Sequence, residues 1–394
     1  MDAENGKWKI PFYLLLGFAV SSIGGPLALA SVFIESNSGG ATKGLVPMAL
    51  IAIALFSTVI IAWRRYSDKV ASSGGLYSFV RYAAGERAAK LQGYIWMLSY
   101  FLYLPYTVTY LVFYALPAIF SIPNQYLYIL EIAMPVAISA VMFSRRLPFY
   151  LMLLLAIVQS GLVLAFSGVV LGNTGFNPGS LAPAMPLSGI GLTSASLALL
   201  FICADLPIFL GGEAEGGGKA IKKVLLASFA IVAALVLVAS LAISNLPRGL
   251  TNSDVFGFGV SQAYAPGMFA YAIGTFTVLS VVGLIMAEFV GLSRLMHAMF
   301  RMPVPRAVIY ISIAFVAFDI VSLLNPTSFY DYLIVPSIGA LFLSQLIVFV
   351  VYPVFVARSR RISALDIVVT VVTCLLMAYG LYGVVSNPFG YFLS

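Results

Sequence analysis

Asp205 and Pro207 interrupt a run of apolar residues in segment 201–223, which reads FICADLPIFLGGEAEGGGKAIKK. Inside a membrane each backbone group needs a hydrogen-bond partner, and a charged side chain is energetically unfavourable. The presence of a proline and a carboxylate in this apolar run therefore indicates a special structural or functional role. One explanation is a discontinuous helix whose broken middle lines a substrate cavity. The other is a proline-kinked structural helix in which Asp205 pairs with a neighbour. In the first case the carboxylate could carry a proton, bind a substrate amine, or do both in competition.

The composition indicates what kind of protein surrounds this carboxylate. Hydrophobic residues make up 61% of the chain and charged residues 9%, and the mean hydropathy is +1.03. These values exclude an ordinary soluble domain and indicate a multi-pass membrane protein. Cys203 and Cys374 lie far apart in apolar segments and His297 is the only histidine, so we predict neither a disulfide framework nor a metal site. We also expect no cofactor and no nucleic-acid partner; the expected surroundings are the lipid bilayer.

Eleven apolar segments are long enough to cross a bilayer as helices. We call them spans 1 to 11 and predict an all-α integral membrane protein in which residues 1–394 form one transport domain. The predicted limits are 10–34, 44–63, 91–119, 126–143, 148–171, 189–211, 222–246, 266–293, 305–324, 332–356 and 364–386.

The lysines and arginines are concentrated on alternate ends of these spans. Only Lys43 and Arg248 fall on the opposite side. Because cytoplasmic loops of membrane proteins are enriched in lysine and arginine, we predict a cytoplasmic N-terminus in the cell membrane. With an odd number of spans, Ser394 is then expected outside the cell.

Spans 1–5 (10–171) and spans 6–10 (189–356) have similar lengths and opposite predicted topology, and span 11 (364–386) follows them. Each half opens with an interrupted span. The interruption in span 1 runs from Ser21 to Pro26 and reads SSIGGP, and that in span 6 surrounds Asp205. Paired interruptions in two inverted halves are typical of a secondary transporter with a central site.

Three further motifs lie at the ends of spans 2, 6 and 8. The loop after span 2, residues 72–79, reads SSGGLYSF; the end of span 8, residues 293–301, reads SRLMHAMFR; and Glu213 and Glu215 precede a basic run after span 6. In these places the chain resembles the amino acid–polyamine–organocation (APC) transporters, which include prokaryotic amino acid permeases. The resemblance implies the LeuT-type fold, a five-plus-five inverted repeat with broken helices 1 and 6. It also implies secondary active transport of an amino acid by alternating access, coupled to protons or working as exchange.

Two departures from the family pattern leave the cargo open. Gly24, Gly25 and Pro26 stand where the family usually has G-S-G, and three glycines replace the family's Asn-Pro loop after span 6. A polyamine, a nucleobase or a metal ion on the same fold therefore stays an alternative cargo. A channel is less favoured because no filter motif is visible. We expect no enzymatic activity because the acidic residues and the single histidine are scattered.

We predict that the substrate binds at the two interruptions. Half-helix N-termini offer N–H groups and a positive dipole end to a carboxylate, and freed carbonyls suit an ammonium. Asp205 favours a cationic or amine-bearing substrate, while tight helix packing is the alternative role for the glycine pair. The predicted binding residues are Ser21, Ser22, Ile23, Gly24, Gly25, Phe201, Ala204 and Asp205.

A second set of residues is predicted to couple or gate transport: Asp205, Glu288, Gln159, Thr277, Ser280, Tyr106 and Tyr110. Glu288 is assigned to the inner gate or to an ion pair with Arg294. Gln159 stands on span 5, where some proton-coupled relatives have a lysine, and Tyr106 or Tyr110 is predicted as an outer lid.

The coupling ion is predicted to be a proton, with sodium as the open alternative. Thr277 and Ser280 could supply hydroxyls to sodium, but such side chains also bond back to their own helix in membranes. Asp319, in the outer part of span 9, is predicted to be structural or to extend to the outer interface.

Overall fold

The computed structural model describes residues 8–23, 44–182, 187–246 and 255–386. Within these ranges ten helices are long and apolar enough to cross a membrane, and they correspond to spans 2 to 11. Their bounds are Leu45–Ser67, Glu86–Ile119, Asn124–Met142, Leu147–Thr174, Gly189–Leu210, Gly217–Ile243, Met268–Phe300, Val304–Ser322, Pro326–Ala357 and Ala364–Ser386. The predicted fold class is confirmed: the protein is an all-helical, multi-pass membrane protein.

Several helices extend beyond their predicted apolar limits. Span 7 begins at Gly217 instead of residue 222, and span 8 continues to Phe300 instead of residue 293. Charged residues at these ends marked the edge of the apolar run, but a helix continues as long as its backbone bonds remain favourable. A short helix, Gly75–Ala84, also occupies part of the segment after span 2 that was predicted as a loop.

Span 1 is described as the helix Phe12–Ser22, which ends inside the predicted interruption. Gly24, Gly25 and Pro26 lie outside the described residues. The helix packs against span 5 through Gly17, where an added Cβ would lie 2.6 Å from Leu153 Cα. Since a backbone atom cannot move aside, only glycine allows this approach.

Span 6 changes its helical type where the interruption was predicted. An α-helix over Leu187–Leu199 is followed by a 3-10 helix over Ile202–Leu210 that contains Asp205 and Pro207. A 3-10 helix of nine residues is unusually long, and such stretches inside a helix often mark functional sites. The break in span 6 is therefore confirmed, near residue 200.

Span 3 contains a second irregularity. Its α-helix Glu86–Tyr110 includes Pro105 and passes into a π-helix over Leu111–Ala115, before one last α-turn, Leu116–Ile119. A π-helical turn widens the helix and is frequent at functional sites.

The N-terminal end of span 11 is held by a polar cluster around Asp366. The Asp366 carboxylate is buried and accepts hydrogen bonds from both Arg65 and Arg360. Tyr352 donates its hydroxyl at 3.2 Å, and Ser363 donates its backbone N–H at 2.8 Å and its hydroxyl at 2.6 Å. Span 11 is thereby fixed to the ends of spans 2 and 10.

Candidate functional site

The 3-10 segment of span 6 places Asp205 in the interior of the protein, at 0% exposure. Its Oδ2 accepts hydrogen bonds from Gln345 Nε2 of span 10 at 2.7 Å and from Trp96 Nε1 of span 3 at 3.3 Å. Its Oδ1 has no hydrogen-bond partner among the described residues. Within the described ranges, Asp205 is not among the acids that form ion pairs. The carboxylate is therefore held by neutral donors alone.

Glu288 of span 8 forms the second acidic group of this site and is also fully buried. Its Oε1 accepts from the Cys203 thiol, with a sulfur–oxygen distance of 4.0 Å, and the Cys203 sulfur accepts from the Tyr100 hydroxyl at 3.9 Å. Its Oε2 has no partner among the described residues. Asp205 lies close enough that the two carboxylates would repel each other if both were charged.

Aromatic rings enclose the two carboxylates. The ring centroid of Trp96 lies 4.0 Å from that of Tyr100 and 4.4 Å from that of Phe209. Gly291 of span 8 makes room for this packing, since an added Cβ would lie 3.2 Å from Trp96 Cη2. Aromatic faces attract cations, so these rings favour positive charge in the same volume as the carboxylates do.

Three acceptor atoms in this cluster have no hydrogen-bond donor among the described residues: Asp205 Oδ1, Glu288 Oε2 and Gln345 Oε1. A buried acceptor without a donor costs free energy, and a pair of charged carboxylates without a cation costs more. An ammonium group has three N–H donors, which matches these acceptors in number, and its positive charge balances one of the two carboxylates. A proton on either carboxyl group is the other way to lower the cost.

The predicted residues of span 1 lie near its end, and their hydroxyls bond to the backbone. Ser21 Oγ donates to the Met152 carbonyl of span 5 at 2.8 Å, and Ser22 Oγ donates to the Ala19 carbonyl at 2.9 Å. Ile23 is buried. Gly24 and Gly25 fall outside the described residues, so their predicted role stays a prediction.

On span 6, Ala204 is buried directly before Asp205, whereas the Phe201 ring packs away from the acidic pair. That ring lies 5.6 Å from Phe56 of span 2 and 5.3 Å from Phe229 of span 7, between centroids. Its side chain therefore joins three spans. Its backbone N–H donates to the Ala198 carbonyl and its carbonyl accepts from Ala204 N, so a contact of Phe201 with the substrate stays a prediction.

The predicted coupling residues fall into different surroundings. Gln159 is buried, and both its amide atoms have no partner among the described residues. Thr277 and Ser280 donate to the carbonyls of Ile273 and Phe276, each at 2.8 Å. These bonds match the alternative in which both hydroxyls bond back to their own helix.

The tyrosines predicted as an outer lid both contact span 10. The Tyr106 ring lies edge-on to Tyr330 at 5.7 Å, and the Tyr110 ring stacks on Tyr330 at 5.9 Å. Tyr106 is buried. The structure thus brings both residues to one aromatic group, while their role in gating stays a prediction.

Two of the predicted contacts are wrong. Arg294 does not pair with Glu288; it forms a two-point ion pair with Glu213 at 3.0 and 3.1 Å. The reason is geometric, because six helical positions turn two side chains to different faces. Asp319 does not reach the outer interface and has 0% exposure, because its face of span 9 packs against spans 3 and 4.

Sequence reasoning missed Trp96, Cys203 and Gln345 as site residues. Gln345 had a usable signal, since a polar amide within an apolar span is costly unless it has a partner inside the protein. Trp96 had none, because aromatic residues occur in every span and only the fold shows which of them meet Asp205.

Comparison with solved structures identifies the fold. Two variants of the manganese transporter from Eremococcus coleocola match with TM-scores of 0.70 and 0.69, at 11% and 10% sequence identity. In each case the match covers 100% of this chain and 92% of the other. A Na+-coupled sialic acid symporter in a substrate-bound, outward-open state matches with a TM-score of 0.61 at 10% identity, over 94% of this chain and 88% of the other.

This chain has the LeuT-type transporter fold. At such identities the similarity establishes the architecture, and the cargo must be inferred from the site. No protein-family model matches the chain, and no curated protein matches its sequence. The limits of the two inverted repeats and membership of the APC superfamily therefore stay predictions.

Proposed function

We propose that this protein is a secondary active transporter that moves an amine-bearing, cationic solute across the cell membrane by alternating access. The observation that carries the proposal is the site at the break of span 6. There, two fully buried carboxylates, Asp205 and Glu288, have one unpartnered oxygen each and form no ion pair within the described ranges. Buried carboxylates inside a membrane protein have a high free-energy cost, and they usually mark substrate or ion pathways.

The donor and acceptor pattern favours an amine over a neutral solute. The ammonium would donate to Asp205, Glu288 and the Gln345 carbonyl oxygen, while Trp96 and Tyr100 cover it with aromatic rings. An amino acid is the specific form of this cargo that the APC resemblance favours. The helix Phe12–Ser22 contacts the 3-10 segment of span 6 and ends at Ser22, and the negative dipole end of a helix C-terminus would favour the ammonium group of such a cargo.

The charges of Asp205 and Glu288 would also couple transport of the cargo to movement of a proton. Without cargo, the carboxyl pair lowers its electrostatic cost by holding a proton, and the arriving cation displaces that proton. Proton-coupled transport or exchange is therefore the mode we propose, with the N-terminus in the cytoplasm as the distribution of basic residues favours. Alternating access would move spans 1, 2, 6 and 7 against the others around this site.

A divalent metal ion is a second candidate cargo. It is favoured by the contact between the Cys203 thiol and Glu288, because a thiol is a soft ligand for transition metals. The similarity to manganese transporters points the same way. Against it, no group of three or more His, Cys, Asp or Glu residues within the described ranges could hold a metal ion together.

The two candidates are separated by thermal stability of the purified protein in detergent. We expect arginine, lysine, agmatine or putrescine to raise the melting temperature, because a ligand at about 100 times its dissociation constant adds about 2.7 kcal/mol to stability. Mn2+ should raise it less than the best amine. The opposite ranking would support metal cargo, and stabilisation by neutral amino acids alone would contradict the amine proposal.

Variants show whether any stabilisation arises at this site. Asp205→Asn and Glu288→Gln should each abolish the amine-induced shift, because each removes one of the negative charges that the ammonium meets. The matched control is Asp68→Asn, which removes an exposed carboxylate that pairs with Lys222 at the surface. A shift that persists in both buried variants would place the binding site elsewhere.

A further inference from the structure

A second pair of acidic residues lies inside the protein, in spans that Asp205 and Glu288 do not occupy. Glu131 belongs to span 4 and Asp319 to span 9, and both have 0% exposure. The Ser322 hydroxyl connects them, since it bonds to Glu131 Oε1 at 2.5 Å and to the Asp319 carbonyl at 2.8 Å. Neither residue takes part in an ion pair within the described ranges.

Hydroxyl groups from two spans orient Glu131. Thr109 Oγ1 of span 3 donates to Glu131 Oε1 at 2.6 Å, and Ser322 Oγ of span 9 donates to the same oxygen at 2.5 Å. The second oxygen, Oε2, has no partner among the described residues. One side of the carboxylate is thus fixed while the other remains able to bind a ligand.

Asp319 has fewer contacts still. Both of its carboxylate oxygens lack a hydrogen-bond partner among the described residues, although the side chain is completely buried. Burying a carboxylate with neither a donor nor a cation is among the most expensive arrangements in a protein interior. A purely structural role would require partners that the described residues do not provide, so Asp319 indicates a ligand.

The surrounding backbone is also unusual. The Thr109 hydroxyl bonds to the carbonyl of Pro105 at 3.2 Å, and the π-helix Leu111–Ala115 begins two residues later. A proline removes one backbone donor and a π-turn shifts the hydrogen-bonding pattern by one residue, so both leave carbonyl oxygens less well satisfied. A π-helical turn is frequent at functional sites, which fits a ligand site next to Thr109.

We propose that Glu131, Asp319, Thr109 and Ser322 form a binding site for a hard metal cation between spans 3, 4 and 9. Every donor atom in the site is oxygen, which suits Na+ or Ca2+ and does not suit soft transition metals. A divalent cation would balance both carboxylates, and a monovalent cation would balance one while the other holds a proton. The site shares no residue with the Asp205 cluster, and its ion binding can be measured without transport.

The position of the site gives the ion a route from one side of the membrane. Glu131 lies seven residues from the start of span 4 and Asp319 three residues from the end of span 9. At about 1.5 Å per residue these are depths of about 10 and 5 Å from the helix ends. With the proposed orientation, this face is extracellular.

The test is the melting temperature of the full-length protein in detergent as NaCl or CaCl2 replaces choline chloride at constant ionic strength. We expect at least one of the two ions to raise the melting temperature with a saturable dependence. Asp319→Asn and Glu131→Gln should each weaken the apparent affinity at least tenfold. Glu86→Gln, which removes a half-exposed carboxylate paired with Lys90, should leave it unchanged.

The proposal is overturned if neither ion stabilises the protein beyond choline. It is equally overturned if the stabilisation survives in Asp319→Asn, or if it disappears in Asp205→Asn and not in Asp319→Asn. Should the two acidic variants fail to fold, Thr109→Val and Ser322→Ala keep both charges and remove one oxygen ligand each. An affinity lowered at least threefold in either supports the site, and an unchanged affinity in both contradicts it.

Discussion

Asp366 and Asp205 are both buried carboxylates at the ends or breaks of membrane helices, yet their surroundings differ completely. Asp366 accepts five hydrogen bonds, of which two come from arginines. Asp205 accepts two side-chain bonds from neutral donors, and one of its oxygens has no partner among the described residues. The Asp366 carboxylate is thus neutralised by two arginines, whereas the Asp205 carboxylate has only neutral partners.

Part of the hydrogen bonding of Asp366 comes from a residue close to it in the sequence. Ser363 and Asp366 stand three residues apart at the start of span 11 and bond to each other's backbone N–H groups, as in a capping box. The two arginines then neutralise the charge. A carboxylate with this many partners has little left to offer a ligand, so the Asp366 cluster stabilises the fold, whereas Asp205 keeps the capacity to bind.

The largest effect should come from Asp205→Asn. Removing its charge should lower cation uptake into proteoliposomes at least a hundredfold, equivalent to about 2.7 kcal/mol of binding free energy. The melting temperature without ligand should stay the same or rise, because a buried charge without a counterion is removed. A large loss of stability with normal uptake would show that Asp205 is a structural residue like Asp366.

Asp366→Asn should give the opposite result. It leaves Arg65 and Arg360 without their shared carboxylate and should lower the free energy of unfolding by about 2 kcal/mol, since both arginines are partly exposed. Uptake per folded molecule should remain within about twofold of the original. Denaturation in detergent measures the first quantity, and uptake normalised to monodisperse protein measures the second.

Ser21→Ala tests a buried polar group whose expected effect on stability is smaller than that of Asp366→Asn. Its hydroxyl has one neutral partner, the Met152 carbonyl, so its removal should cost about 1 kcal/mol of stability. Because the hydroxyl is already engaged with span 5, the affinity for the cation should hardly change. A clear loss of affinity at normal stability would assign the hydroxyl to the substrate, and Ser22→Ala serves as the neighbouring control.

The smallest effect is expected for Lys222→Met. Lys222 pairs with Asp68 at 2.6 Å, but both side chains are well exposed, at 38% and 42%. Exposed ion pairs contribute little because water screens the charges, so stability should change by less than about 0.5 kcal/mol. A loss as large as that of Asp366→Asn would show that burial does not govern these clusters.

The sequence predicted the architecture well because its signals are local. Apolar length defines spans 2 to 11, and Asp205 with Pro207 marked the break of span 6 correctly. The site itself depends on contacts between distant parts of the chain. Gln345 lies 140 positions from Asp205 and Trp96 lies 109 positions away, and no periodicity in a single sequence connects such residues.

The pair Glu131 and Asp319 also could not be predicted from the sequence alone. Asp319 was predicted to be structural or to reach the outer interface, and no role was predicted for Glu131 of span 4. Whether either side chain faces lipid, water or a third helix depends on how spans 3, 4 and 9 turn toward one another. Helix packing decides that rotation, and the apolar residues of these spans occur on all sides of each helix.

One residue connects the two parts that alternating access would separate. The Glu213 carbonyl accepts from Ile10 N at the start of span 1, at 2.9 Å, and the neighbouring Glu215 N donates to Ile10 O, also at 2.9 Å. The Glu213 side chain binds Arg294 of span 8. If alternating access moves spans 1 and 6 as one unit, these backbone bonds would keep their ends joined, while the ion pair between Glu213 and Arg294 would have to open. A disulfide between cysteines at positions 10 and 214 should therefore spare transport, whereas one between positions 213 and 294 should arrest it.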